Sequence, residues 1–88
     1  MIERTIEIVN SLGLHARPAA QFVRLAAGFA SEIELARDEM AVNGKSIMGV
    51  MMLAAEHGSS VVVRATGSDE VAAVSALAEL ISNGFGET

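Results

Sequence analysis

Of the two histidines in this chain, His15 stands in the setting best able to do chemistry, the stretch Gly13-Leu14-His15-Ala16-Arg17-Pro18-Ala19-Ala20. Proline suits the first turn of a helix, where its missing N–H is not needed and its fixed φ is already helical. A helix is therefore predicted to start at Ala16, with His15 just outside it. Unpaired first-turn N–H groups and the positive end of the helix dipole form an anion site there, and Arg17 adds a permanent cation with forked donors. That combination fits a phosphate-like group. Positive potential disfavours imidazole protonation, so the ring is expected to stay largely neutral near pH 7 with a nitrogen lone pair free for attack. A phosphoryl group on that nitrogen would carry its oxygens towards the helix N-terminus and Arg17. The competing reading is a polar loop histidine, or a buried one bonded to a backbone carbonyl.

A second stretch, Asn43-Gly44-Lys45-Ser46-Ile47-Met48-Gly49-Val50-Met51, offers Ser46 as the N-cap of a short helix over about Ile47 to Ala55. A phosphate on Ser46 would meet the same N–H groups and the adjacent Lys45. Gly49 weakens this helix. Apolar residues surround it on all sides, yet only one side can face a sheet, so Val50 and Leu53 are assigned to the core. Ile47, Met48 and Met51 are assigned with Met52 to an exposed, adaptable docking patch. His57 sits in a Gly-Ser turn with no acidic or cysteine partner at ligand spacing and is read as solvated.

The elements that must position these residues follow from periodicity. Ile2 to Val9 reads as a strand with Ile6 and Ile8 inward, and Ala16 to Ala27 as a helix with Ala19, Phe22, Val23 and Ala26 as its apolar stripe, stopped by Gly28. Glu32 to Ala36 is a half-buried strand turned at Arg37-Asp38-Glu39, and Met40-Ala41-Val42 is its returning partner. Val61 to Thr66 has the β-branched density of an interior strand. Ser68 is expected to cap a last helix whose stripe is Val74, Leu77, Ala78 and Ile81 and which ends at Asn83-Gly84. The order is β-α-β-β-α-β-α, an α+β domain with helices over one face of a mostly antiparallel sheet.

Composition narrows the function classes. Eighty-eight residues, 51% apolar and 19% charged, make one folded domain over residues 1–88. A net charge of −5 with scattered cations (Arg4, Arg17, Arg24, Arg37, Lys45, Arg64) argues against nucleic-acid binding. Arg17 and Arg24, two turns apart on one helix, could still form a local positive face. The absence of cysteine excludes disulfides and thiolate chemistry and fits a reducing compartment. Without a secretory signal or a membrane-length apolar run, a cytoplasmic protein with no membrane insertion is expected. Two histidines, one already at a helix start, give poor support to a metal site or a Ser-His-Asp hydrolase. A domain this small also favours protein docking over an independent enzyme.

The two stretches quoted above, with the length and element order of the whole chain, closely resemble the histidine-containing phosphocarrier family, HPr, of the phosphoenolpyruvate-dependent phosphotransferase system. The resemblance implies an open-faced β-sandwich of four antiparallel strands covered by three helices, with no cofactor and a monomer expected. It implies that His15 accepts a phosphoryl group on Nδ1 from phosphorylated enzyme I and passes it to a histidine of an enzyme IIA protein, with Arg17 stabilising the group. Ser46 matches the serine phosphorylated in bacteria that possess HPr kinase/phosphorylase. The first helix and the Ser46 helix would dock both partners through Ala16, Ala20, Arg24, Ile47, Met48 and Met51. Alternatives are the carrier of the nitrogen-regulatory branch and a regulatory module that binds through phospho-Ser46.

Overall fold

Alternation of apolar residues along the strands decides the architecture. The computed structural model of the chain describes residues 1–87. Its elements are β1 (Ile2–Glu7), α1 (Ala16–Ala27), β2 (Glu32–Arg37), β3 (Met40–Asn43), α2 (Ile47–Met52), β4 (Ser60–Thr66) and α3 (Glu70–Ser82), followed by one 3-10 turn at Gly84–Gly86. The sheet runs β1-β4-β2-β3, and each neighbouring pair is antiparallel. β4 is therefore interior, as its β-branched run predicts.

Register places Ile6 opposite Val61, Leu35 opposite Val63 and Ile33 opposite Ala65, so these side chains share one face. All six are buried, and the core above them is closed by Phe22 of α1, Val50 of α2, and Val74, Leu77 and Ile81 of α3. The other face mixes charged residues with Val62, Ala36 and Ala41. Arg64 of β4 lies between Glu3 of β1 and Glu34 of β2 and donates to both, from Nε at 2.9 Å and Nη1 at 2.8 Å. This is the four-stranded antiparallel sheet with three helices on one face that the sequence led us to expect.

Local ends differ in instructive ways. β1 stops at Glu7, although Ile8 is still tied to the neighbouring turn through Ile8 N–H to Ser59 O and Gly58 N–H to Ile8 O, both 2.8 Å. Gly28 ends α1 in a right-handed conformation (φ −77°), its N–H reaching Leu25 O at 3.1 Å, rather than in the left-handed one common for glycine there. α2 ends at Met52 instead of Ala55, because Ala54 turns left-handed (φ 48°) and Arg37 Nη1 takes the carbonyls of Leu53 and Ala54 at 3.1 and 2.8 Å. The N-cap of α3 is Asp69 and not Ser68. Its carboxylate leaves the helix uncapped and instead accepts from Ala30 N–H, Ser31 N–H and the Ser31 hydroxyl, binding the start of α3 to the loop after α1.

Candidate functional site

His15 is the N-cap of α1, in extended conformation (φ −81°, ψ −170°), and its side chain makes no capping bond. The sequence removes one of the two usual partners, and the other, Arg17 N–H, goes unused because the ring turns to Glu87. A cap side chain normally bonds the second or third helical N–H, and the third position here is Pro18, which has none. Ala19 N–H is taken by His15 O at 3.0 Å. The orphan donors of this helix start are thus the N–H groups of Ala16 and Arg17, unclosed by the chain's own cap. α2 is the contrast, because Ser46 Oγ accepts from Gly49 N–H at 3.2 Å.

The loop that presents His15 is held on both sides. Asn10, fully buried, donates from Nδ2 to Gly13 O at 2.7 Å, and Gly13 N–H returns to Asn10 O at 3.1 Å. Leu14 N–H bonds Ala55 O at 2.8 Å while its side chain enters the core. Gly13 is left-handed (φ 67°) and lies so close to the segment after α2 that a Cβ on it would sit 2.6 Å from Ala55 O. Only glycine fits there.

The sequence places only positive charge around the imidazole, and the structure adds a carboxylate. Glu87, 72 residues away, faces His15 Nε2 with both oxygens, at 3.0 and 3.1 Å. Its Oε1 also accepts from Asn10 Nδ2 at 3.0 Å. The bond to His15 holds the Glu87 carboxyl below its usual range; the Asn10 bond and the charges of His15 and Arg17 act in the same sense, against an opposing contribution from partial burial. A carboxylate only accepts, so Nε2 must carry the hydrogen, and in a neutral ring that leaves the lone pair on Nδ1. The His15 side chain is 36% exposed against 16% for Glu87, so the ring remains reachable by another molecule.

Arg17 lies on the exposed side of the first turn and makes no hydrogen bond or ion pair among the described residues. α1 carries no acidic residue, and Arg24 lies in its last turn. α1 packs against α2, and Ala16, Arg24, Ile47, Met48 and Met51 are exposed, with Ala20 half-buried. Val50 and Leu53 are buried, as assigned. Gly49 is explained by packing, since a Cβ there would come within 3.3 Å of Val42 Cβ on β3. Lys45 does not wait beside Ser46: its Nζ donates to Phe29 O at 2.7 Å. His57 is exposed. Leu12, 73% exposed in the loop before His15, is a surface apolar residue that periodicity could not flag. No helix among the described residues is long and apolar enough to cross a membrane.

A family model described as the PTS HPr component phosphorylation site matches residues 2–83. The chain is 47% identical over 87 residues to the phosphocarrier protein HPr of Neisseria meningitidis serogroup A, covering 99% of this chain and 98% of that one. It is 49% identical to the HPr of Cupriavidus necator over the same shares. The crystal structure of HPr-C-His from Thermoanaerobacter tengcongensis superposes with a TM-score of 0.95 at 51% identity, over 100% of this chain and 99% of that one.

Proposed function

The chain belongs to the HPr family of phosphotransferase-system phosphocarriers, and on that premise we propose that His15 Nδ1 is the phosphoryl-carrying atom, loaded by phosphorylated enzyme I and unloaded onto a histidine of an enzyme IIA protein. The observation that carries this reading is the commitment of Nε2 to Glu87, which leaves Nδ1 as the lone pair of a reachable ring beside an uncapped helix start. In the loading step the Nδ1 lone pair forms the new N–P bond while the donor's P–N bond breaks and its pair returns to the donor nitrogen. The oxygens of the transferred group would meet Arg17 and the N–H groups of Ala16 and Arg17. Arg17 is the larger contributor, because a charge-assisted hydrogen bond is worth about 1.5–3 kcal/mol against roughly 0.3–1 for the helix dipole.

Docking falls to Ala16, Ala20, Arg24, Ile47, Met48 and Met51, a mixed cationic and apolar surface suited to an acidic partner with apolar contacts. Regulation falls to Ser46. Its phosphorylation would add close to two negative charges at the start of α2 and repel that same partner, slowing transfer to His15.

The test is mass spectrometry and peptide mapping after incubation with phosphoenolpyruvate and enzyme I. One acid-labile phosphoryl group at His15, absent from His15→Ala, is expected. Arg17→Ala should slow loading about 10- to 100-fold, the kinetic equivalent of its lost hydrogen bonds, while its exposed, unpaired position keeps the stability change within about 0.5 kcal/mol. Equal loss of rate and stability would make Arg17 structural. Failure of loading by the enzymes I of both the sugar and the nitrogen branch would refute the carrier reading.

A further inference from the structure

α2 concentrates a reactivity that phosphoryl transfer does not use. The chain holds no cysteine, tryptophan or tyrosine, so its five methionine thioethers are its most easily oxidised side chains. Three of the five, Met48, Met51 and Met52, fall within the six residues of α2. Their i, i+3, i+4 spacing puts them on one side of the helix, opposite the buried Val50 and Leu53. They are 71, 42 and 65% exposed, open to a small solute. Met48 and Met51 belong to the docking surface, and Met52 adjoins them in sequence. Met1 and Met40 lie outside it, at the chain start and on β3. What holds α2 is elsewhere: Ser46 Oγ accepts from Gly49 N–H, Arg37 takes the carbonyls of Leu53 and Ala54, and Val50 fills the core. The outward side chains can therefore change polarity without undoing the helix.

Resting on the reading of His15 as a phosphoryl carrier docked through α1 and α2, we propose that Met48, Met51 and Met52 form a reversible oxidation site through which a hydroperoxide uncouples the carrier from its protein partners. A thioether lone pair attacks one oxygen of hydrogen peroxide. The S–O bond forms as the O–O bond breaks, and the departing oxygen keeps that pair. The proton of the transferred oxygen passes to the departing one, which leaves as water. Sulfur loses two electrons and the peroxide gains them, giving methionine sulfoxide. Methionine sulfoxide reductases reverse the step at the expense of a thiol pair, one enzyme for each sulfoxide epimer. The oxidised side chain is polar where a docking contact is apolar, and an unpartnered polar group buried in such a contact weakens it about ten- to hundredfold. His15 is spared, because its ring is engaged by Glu87 at the start of α1 with no sulfur in that network.

The experiment treats wild type, Met40→Leu and a triple variant carrying Met48→Leu, Met51→Leu and Met52→Leu with metal-free hydrogen peroxide. Catalase removes the excess, and peptide mass spectrometry maps the sulfoxides. Each protein is then loaded with phosphoenolpyruvate and enzyme I and compared with its own untreated sample, so any change that leucine makes to docking cancels. In wild type and Met40→Leu the KM for the carrier should rise about ten- to hundredfold on treatment, with Tm within about 4 °C of the untreated value. In the triple variant treatment should leave KM unchanged. Reductases of both epimer specificities with dithiothreitol should restore wild type. Phosphoramidate, a small donor that transfers its phosphoryl group with release of ammonia and needs no docking surface, should load treated and untreated wild type at one rate. Absence of sulfoxide on α2, or full sulfoxide there with an unchanged KM, would overturn the proposal. So would an equal rise in the triple variant, or a matching loss of phosphoramidate loading or of stability, which would place the damage at His15 or in the fold. Failure of untreated wild type to load from either donor would instead overturn the carrier reading beneath it.

Discussion

Gly13→Ala should destabilise the protein by more than its backbone conformation explains, and it should do so at the loop that presents His15. A left-handed alanine costs about 1–2 kcal/mol relative to the right-handed alternative. At φ 67° that penalty applies in full. The added Cβ would also stand 2.6 Å from Ala55 O and 2.8 Å from Glu56 Cα, both main-chain atoms that no rotamer change can move. Overpacking of this kind adds about 1–3 kcal/mol, for a total of about 2–5. In a domain of this size each kcal/mol lowers Tm by about 4–8 °C, so a fall of roughly 8–40 °C is expected. Gly58 provides the internal control: it too is left-handed (φ 90°) but has no atom within 4 Å of a Cβ, so Gly58→Ala should show only the backbone penalty. The assay is urea denaturation followed by far-UV circular dichroism, with the m-value compared to confirm that the same surface unfolds. Pushing residue 13 away from Ala55 also threatens Leu14 N–H to Ala55 O and Asn10 Nδ2 to Gly13 O, so loading of His15 should fall even where Gly13→Ala is mostly folded. If Gly13→Ala and Gly58→Ala lose stability equally, the close packing of this loop on the segment after α2 is not what holds it.

Arg37→Met removes the charge-assisted donor to Leu53 O and Ala54 O and should loosen the end of α2, with a stability loss of about 1–2 kcal/mol. Hydrogen exchange should quicken in α2 more than in α1; uniform quickening would show that Arg37 serves the whole fold and not that helix. Acid should weaken the protein through Asp69, Glu70 and Glu87. Asp69 is held low first by the Ser31 hydroxyl and then by Ala30 N–H, Glu70 first by Gly67 N–H, and Glu87 first by His15. Because all three folded values are depressed, the unfolded chain binds protons first. Their stabilisation is complete above the ordinary values of 4.5 for glutamate and 3.8 for aspartate and is lost as pH falls below them through the folded values. Denaturation midpoints should therefore be level above about pH 5.5 and fall below pH 4.5, with a shallower fall in Asp69→Asn; an unchanged slope there would remove Asp69 from the account.

The sequence by itself determined the elements and placed the candidate reactive residue just outside a helix start. Alternation put Ile33, Leu35, Val61 and Val63 on one face, helical spacing put Phe22, Leu77 and Ile81 in the core, and Pro18 fixed the start of α1 with His15 outside it. These are local rules, in which a residue and its near neighbours settle the backbone between them. Tertiary structure alone decided what faces the imidazole. Glu87, Arg37 and Asp69 each act on a segment far along the chain, where a polar side chain meets whatever backbone or ring the packing brings near. A carboxylate has the same chemistry in any sequence. Its partner is set by how α3 lies on the sheet and by the burial of Phe85. The one local hint was Gly84-Phe85-Gly86, an aromatic between two flexible residues just past a helix end, in a chain with only three aromatic residues. The proposed nucleophile is thus a reading from its neighbours in sequence, whereas which of its nitrogens is left with the lone pair was decided by the carboxylate that the fold carries to the other one.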